Sequence, residues 1–129
     1  MKFLLKVSNK QSKIIKLKKN TFLNVKSKFK ENIKFKNYLS SNKKLNLISI
    51  SKNKNKIKFE SIHNYEIIIS GSPIKNGQVL NSSQILEIFF KNKNELFFIS
   101  GTWVIIIYDN FKSKLNIFRD YLGVNQVYL

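Results

Sequence analysis

Short apolar segments alternate with polar ones along the whole chain, and most of them have the two-residue period or the short length of β-strands. Residues 2–7 and 14–17 are two such segments, whereas residues 21–41 lack a clear period and predict an irregular connection. Residues 45–50 and 57–62 both alternate, and the Asn- and Lys-rich turn between them predicts a β-hairpin. The first half of the chain is therefore predicted to consist of strands, turns and one irregular connection.

The second half of the chain adds a helix to the strands. Residues 65–70 form an apolar run that ends at Gly71, where Gly and Pro signal a turn. Residues 81–83 are of helix-capping types, and the apolar stripe that follows them has helical spacing. The stripe is interrupted near residues 92–94 and ends at Gly101, so one helix or two short helices are predicted.

The last thirty residues predict a second hairpin. Residues 103–108 have the composition of a buried strand, residues 109–113 that of a turn, and residues 114–118 alternate like a half-buried partner strand. A Gly-containing turn at residues 119–124 then leads to extended chain at residues 126–129. The whole pattern predicts an α+β fold with mostly antiparallel strands and one or two helices.

Length and composition narrow the possible classes of protein. A chain of 129 residues predicts a single domain over residues 1–129. It contains no Cys, which excludes disulfides and thiolate chemistry, and His63 is the only histidine, so we predict no metal site. Even the long apolar runs, such as residues 104–108, are far shorter than the roughly 20 residues of a membrane-spanning helix. Because Lys6 also interrupts the N-terminal apolar stretch, we expect a cytoplasmic protein rather than an exported one.

Positive charge is concentrated in the first half of the chain. Lys and Arg number 24 against 7 Asp and Glu, a net charge of +17. Residues 1–60 hold 18 Lys and 2 Glu, a net charge of +16, whereas residues 61–129 have a net charge of only +1. Such a field attracts nucleic acid. The alternative is a solvated surface produced by an AT-rich coding bias, which the 17 Asn, 18 Ile and absence of Ala would also explain.

A row of four lysines gives the nucleic-acid interpretation specific candidate residues. Lys52, Lys54, Lys56 and Lys58 are spaced by two and would stand on one face of an extended segment. Nucleic-acid sites usually favour Arg, however, and Lys also serves to keep an exposed sheet edge soluble. A basic nucleic-acid-binding module is therefore the alternative function of this chain.

A series of short motifs in residues 65–129 has a recognisable order and spacing. The motifs are Ser70-Gly71-Ser72, Asn81-Ser82-Ser83-Gln84, Gly101-Thr102-Trp103, Tyr108-Asp109, Arg119-Asp120-Tyr121-Leu122-Gly123 and Gln126-Val127-Tyr128-Leu129. In this order they resemble the asparagine-synthetase type of class II glutamine amidotransferase domain. The resemblance implies a partial sandwich like that of the N-terminal-nucleophile (Ntn) hydrolases. It covers about half of the chain and leaves residues 1–60 unmatched.

The resemblance implies that glutamine hydrolysis has been lost. Family members use a Cys at the mature N-terminus, activated by its own α-amino group, whereas Met1 is followed by Lys2 here. The family's glutamine-binding Asn-Gly-Glu segment matches Ser70-Gly71-Ser72, and its substrate-binding Asp matches Ser82. These four positions are weak ligand-binding candidates by family position, and no catalytic residue is predicted.

Five other motif residues are expected to be structural. They are Gly101, Asp109, Arg119, Asp120 and Gly123. Asp120 beside Arg119 predicts a turn contact or an ion pair rather than a catalytic acid.

The function that follows from the resemblance is that of a pseudoenzyme. Complete family members are glutamine-hydrolysing asparagine synthases, in which an ATP-using domain forms the amide bond. This chain is expected to serve as a scaffold or accessory subunit for such a synthetase, and ATP and Mg²⁺ are expected only in that partner. Because the family domain continues beyond the last matched motif, we expect an unpaired strand edge and an apolar face, covered by the synthetase or by a second copy.

Overall fold

The structure, a computed structural model, describes residues 2–7, 34–51, 57–123 and 126–128. The chain divides into two compact units. Unit 1 comprises Met1–Lys54 with Gln126–Leu129, and unit 2 comprises Asn55–Asn125. The boundary between them lies close to the change in charge at residue 60, so the basic and the near-neutral halves of the sequence largely correspond to the two units. A single domain over residues 1–129 stays a prediction.

Unit 1 contains a four-stranded sheet with the strand order β10-β1-β3-β2. Its strands are β1 (Lys2–Val7), β2 (Lys34–Leu39), β3 (Leu45–Ser51) and β10 (Gln126–Tyr128). β3 is antiparallel to both β1 and β2, whereas β10 is parallel to β1. The predicted strand at residues 2–7 and the extended chain near the C-terminus are confirmed.

The turn between β2 and β3 is closed by Ser40. The Ser40 backbone N–H donates to the Leu45 carbonyl at 2.9 Å, and the Leu45 N–H donates to the Ser40 hydroxyl at 3.0 Å. The same hydroxyl donates to Asn42 Oδ1 at 2.8 Å. Short polar side chains therefore replace the missing ladder partners of the turn, as Ser and Asn do at turns generally.

Two predictions for the first half are wrong. Residues 21–41 were expected to be irregular, but β2 occupies part of that range. Phe35 and Tyr38 are three residues apart, an odd spacing that does not match strand alternation, so the pairing with β3 decides the structure. The hairpin predicted from residues 45–50 and 57–62 does not form, because the two strands belong to different sheets. The strand predicted at residues 14–17 lies outside the described residues.

Unit 2 is built on a second, fully antiparallel sheet with the order β4-β5-β8-β9. These strands are β4 (Ile57–Ile62), β5 (Tyr65–Gly71), β8 (Trp103–Asp109) and β9 (Lys114–Arg119). The apolar strand that ends at Gly71 and the hairpin of the last thirty residues are thus confirmed. Together with the one α-helix in the described part of the chain, these strands give the predicted α+β fold with mostly antiparallel sheets.

A small hairpin between β5 and the helix was not predicted. It consists of β6 (Ile74–Lys75) and β7 (Gln78–Val79), joined by Asn76 and Gly77. Both turn residues have positive φ, +53° and +76°, as the two central residues of a type I′ turn require. The Asn-Gly dipeptide is the sequence signal for this hairpin.

The helix α1 (Ser82–Asn92) begins at the predicted cap. The Asn81 side chain accepts from the Gln84 N–H at 3.0 Å, and the Gln84 side chain accepts from the Asn81 N–H at 3.0 Å. This reciprocal capping box satisfies two N–H groups that the first turn leaves free. A 3₁₀ helix (Lys93–Phe98) follows directly, at the place where the apolar stripe was expected to break.

The core of unit 2 lies between one face of its sheet and the two helices. Its buried residues come from every element except β4 and the small hairpin: Ile67, Ile69, Leu80, Ile85, Leu86, Leu96, Ile99, Trp103, Ile105, Ile107 and Phe118. Burying an Ile or Leu side chain stabilises a fold by about 1.5–3 kcal/mol, so this cluster is the main source of cohesion. Trp103 is fully buried, and its indole N–H donates to the Ile99 carbonyl at 3.2 Å.

Two glycines allow the backbone segments that precede β6 and β8 to come into close contact. Gly71 and Gly101 have φ of +88° and +95°. A Cβ on Gly71 would lie 2.1 Å from the Thr102 carbonyl oxygen, and a Cβ on Gly101 would lie 2.2 Å from that of Ser72. The close approach permits the Ser72 N–H to donate to the Thr102 carbonyl at 3.0 Å. Both positions therefore require glycine for two reasons: the positive φ of the backbone, and the lack of space for a Cβ.

We expect Gly71→Ala to lower the free energy of unfolding by about 3 kcal/mol or more, because the new Cβ meets backbone atoms that cannot rotate away. Gly101→Ala should behave in the same way. Gly77→Ala is the matched control: its φ is also positive, but nothing lies within 4 Å of the added Cβ. It should cost only about 1–2 kcal/mol of left-handed strain. Urea unfolding followed by circular dichroism measures all three, and equal losses at residues 71 and 77 would contradict the close approach.

Candidate functional site

The predicted glutamine-binding segment lies at the end of β5. Ser70 is almost fully buried at 2% exposure, whereas Ser72 is exposed. Gly71 between them makes the close approach to Thr102 described above. The segment therefore holds two strands of unit 2 together, and its one exposed side chain is the Ser72 hydroxymethyl group.

Ser82, the fourth ligand-binding candidate, is the first residue of α1 and is 1% exposed. Its hydroxyl makes no hydrogen bond within the described part of the chain. It is therefore not joined to Ser70 or Ser72 by a hydrogen bond. Because its hydroxyl is buried, Ser82 cannot meet a ligand from solvent without movement of the helix start.

Asp120 forms the turn contact that the sequence predicted. One oxygen of its carboxylate, Oδ2, accepts from the Trp103 N–H at 3.1 Å, and its own N–H donates to the Trp103 carbonyl at 3.1 Å. Its carbonyl accepts from the Gly123 N–H at 3.0 Å, which closes the turn after β9. The Arg119 guanidinium lies beside Gly123, where an added Cβ would be 3.4 Å from it. Three residues of the Arg-Asp motif thus shape a single turn.

Asp109 organises the turn between β8 and β9 in a similar way. Its Oδ1 accepts from the Phe111 N–H at 2.8 Å and from the Lys112 N–H at 2.9 Å. Asp109 also faces Tyr65 across the β5–β8 ladder. Burial raises the pKa of Tyr65, and the charge of Asp109 and the hydrogen bond to it raise that pKa further.

Glu66 is a buried carboxylate that the sequence analysis did not single out. It is fully buried on β5, where Ser61 donates to its Oε2 and the Asn110 side-chain amide donates to Oε1 at 3.0 Å. The Asn110 N–H in turn donates to the Asn64 carbonyl at 2.8 Å. Because a buried polar group needs hydrogen-bond partners, these contacts account for the burial of Glu66, and they tie the β4–β5 turn to the β8–β9 turn. The signal for it was an acid inside an otherwise apolar strand.

An exposed apolar surface lies at the C-terminal end of the 3₁₀ helix. It is an open groove of about 580 Å³ lined by Phe97, Phe98, Ile99, Ser100, Gly101, Tyr121 and Leu122. We call it the aromatic groove. It brings the end of the 3₁₀ helix together with the turn after Asp120. The resemblance led us to expect an apolar face, but the sequence pattern did not locate it at these residues.

The remaining candidates are the row of lysines and the only histidine of the sequence. Lys58 is exposed on β4, while Lys52, Lys54 and Lys56 lie outside the described residues. His63 is exposed in the two-residue turn between β4 and β5, with a φ of +52°. In the described ranges, no three His, Asp or Glu side chains are grouped so that they could hold a metal ion.

Comparison of the chain with protein-family models, with curated proteins and with solved structures finds no match. Among the residues that the structure describes, no helix is long and apolar enough to cross a membrane. A function for this chain therefore has to be inferred from its motifs and from the geometry of unit 2.

We expect Asp120→Ala to destabilise the chain by about 1–3 kcal/mol, because it removes the acceptor of the buried Trp103 N–H. Asp120→Asn keeps one acceptor oxygen and should lose less. Glu87→Gln on the exposed side of α1 is the control and should change stability by less than about 0.5 kcal/mol. Urea unfolding of the three variants tests this, and an Ala variant as stable as the wild type would exclude a structural role for the carboxylate.

The raised pKa of Tyr65 makes a prediction about alkaline pH. The neutral phenol is favoured in the folded chain, so its contribution is fully present below the ordinary tyrosine pKa of about 10 and is lost as pH rises through the higher folded value. The stability difference between the wild type and Tyr65→Phe should therefore be constant up to about pH 9.5. Above that pH, the wild type should lose stability relative to the variant. Thermal unfolding at several pH values measures this difference. A difference that stays constant at alkaline pH would contradict the raised pKa of Tyr65.

Proposed function

We propose that this chain is a catalytically silent glutamine amidotransferase-like domain that serves as a scaffold or accessory subunit of an ATP-dependent amide-forming synthetase. One observation carries the proposal: the motif residues that match the family occupy structural junctions of unit 2, and the family's chemical groups are replaced. Gly71 and Gly101 form the close backbone approach, and Asp109 and Asp120 each accept backbone N–H groups at a turn. The pattern is that of a fold whose architecture has been retained without its reaction.

The fold supports this proposal at a coarse level. In unit 2 an antiparallel sheet is covered on one face by α1 and the 3₁₀ helix. A partial Ntn-hydrolase sandwich contains such a sheet-and-helix layer, and we include that finer fold in the proposal. The order of capping box, Gly-aromatic strand, Asp turn and Arg-Asp turn along the sequence is the feature on which the assignment depends.

The proposed silence of the site has a direct chemical reason. The chain has no Cys, so the acyl-enzyme of the family mechanism cannot form. Ser70 and Ser82 are buried, and the only histidine lies in an exposed turn. Neither of these two hydroxyls is accessible to a substrate that arrives from solvent. Such a domain retains a folded surface, which can act only by binding a partner protein.

The partner supplies the rest of the chemistry in this proposal. An amide-forming synthetase activates a carboxylate with ATP, and Mg²⁺ neutralises the phosphate charges there. The accessory chain would bound the channel through which the amine or peptide substrate arrives. Both would act in the cytoplasm, where ATP is available.

The first experiment identifies what the chain binds in its native cells. A tagged chain is recovered at moderate salt with nuclease added, washed with heparin to remove proteins held by lysine charge, and examined by mass spectrometry. We expect a synthetase that activates carboxylates with ATP, in nearly equal amount. Recovery of only nucleic-acid-binding proteins, lost with nuclease or heparin, would contradict the scaffold and favour the basic nucleic-acid module.

A second measurement tests the silent site itself. The purified chain is incubated with glutamine, and ammonia release is compared with that of a heat-denatured sample. We expect no difference between the two samples. Turnover that survives a second purification and disappears in Ser72→Ala would overturn the proposal, because it would reveal a nucleophile other than Cys.

A further inference from the structure

Strand β4 is an edge strand of the sheet of unit 2. Its residues pair with β5 in one uninterrupted ladder, from Ile57 opposite Ser70 to Ile62 opposite Tyr65. In the part of the chain that the structure describes, no strand lies on the other side of β4. A regular edge strand presents N–H and C=O groups that can form a ladder with a further strand, and β4 contains no Pro or Gly to interrupt it.

The two charged side chains of β4 have opposite signs and lie on the same face of the sheet. Lys58 and Glu60 stand opposite the core residues Ile69 and Ile67 of β5, and both charged residues are exposed. Neither forms an ion pair with any other residue that the structure describes. The open edge therefore presents a positive and a negative charge that are two residues apart.

Symmetry restricts how two copies of β4 can face each other. Two copies related by a two-fold axis run antiparallel, and paired side chains share a face, so the axis has to pass through a residue. An axis at Phe59 places Lys58 of each copy opposite Glu60 of the other, which gives two opposite-charge pairs. An axis at Lys58 or at Glu60 would place that charge opposite itself. Charge therefore selects the register that is centred on Phe59.

The other edge of the same sheet does not have this self-complementarity. The charged side chains of β9 are Lys114 and Arg119, both positive, so a second copy could form no opposite-charge pair there. A partner strand for β4 needs an acid opposite Lys58 and a base opposite Glu60. The sequence of β4, read in the antiparallel direction, supplies both at the required spacing.

We propose that β4 is a self-association edge through which two copies of this chain pair as antiparallel strands, with Lys58 of each copy opposite Glu60 of the other. The four-stranded sheet of unit 2 in one copy then continues into that of the second copy. The inference does not depend on the proposed synthetase, because it rests only on the edge and on its charges.

The test measures the mass of the purified full chain by sedimentation equilibrium after nuclease treatment. Because one pair of strands is a small interface, we expect a weak dimer, and the concentrations extend to about 1 mM. Lys58→Glu and Glu60→Lys each convert two attractive pairs into two repulsive ones, and each should weaken association at least about tenfold. The first variant lowers the net charge and the second raises it, so a loss in both cannot come from net charge. Glu87→Lys, on α1 rather than on β4, is the matched control and should leave association unchanged.

Two combinations restore the pairs and exclude misfolding as the cause of the loss. The double variant with Lys58→Glu and Glu60→Lys has opposite charges at the facing positions again, at an unchanged net charge, and should dimerise like the wild type. A mixture of the two single variants should form a mixed dimer, because one presents two negative and the other two positive side chains. A wild type that is a monomer at every concentration would overturn the proposal, and so would a double variant as weak as the single ones.

The absence of Cys allows the register itself to be measured. In the proposed dimer, the Cα atoms of residue 58 in one copy and residue 60 in the other lie about 5 Å apart, which a disulfide can bridge. The two Cα atoms of residue 58 lie about 8 Å apart, which is too far. Under mild oxidation, a mixture of Lys58→Cys and Glu60→Cys should therefore form a disulfide-linked dimer, and it retains the second Lys–Glu pair. Equal cross-linking by either variant alone would overturn the proposed register.

Discussion

Unit 2 depends on the approach of two backbones at Gly71 and Gly101, where neither position has room for a Cβ. The approach joins the exit of β5 to the entry of β8, and the hydrogen bonds between Ile74 and Ser100 extend it by one bridge. From there, the Leu80 N–H donates to the Pro73 carbonyl at 2.8 Å and sets the start of α1. The helix, the small hairpin and the central strands therefore take their positions from one contact between main chains.

Acidic side chains serve the fold in a chain that has few of them. Among the acids that the structure describes, Glu66, Asp109 and Asp120 are buried and accept hydrogen bonds at turns. Their side-chain oxygens are therefore engaged within unit 2, where they hold its turns in place.

Local signals in the sequence were enough to predict most of unit 2. The helix cap at Asn81, the break before the 3₁₀ helix and the hairpin after Trp103 are each determined by neighbouring residues, and all three were predicted. The false hairpin between β3 and β4 shows the limit, since alternation identifies a strand but not its partner. The site shows the same limit: the burial of Ser82 and Glu66 and the exposure of Phe98 depend on tertiary packing, which no spacing encodes.

The chain contains a single tryptophan, and Trp103 lies in the core of unit 2. Its fluorescence emission therefore reports on that unit alone, whereas the amide signal in the far ultraviolet comes from both. Fully buried and bonded to the Ile99 carbonyl, the indole senses the joint between the 3₁₀ helix and β8. If the two signals change at the same denaturant concentration, the two units unfold as one cooperative body, and if they separate, each unit has a stability of its own. Trp103 is thus an intrinsic fluorescent probe of whether the unfolding of the near-neutral unit is coupled to that of the basic unit.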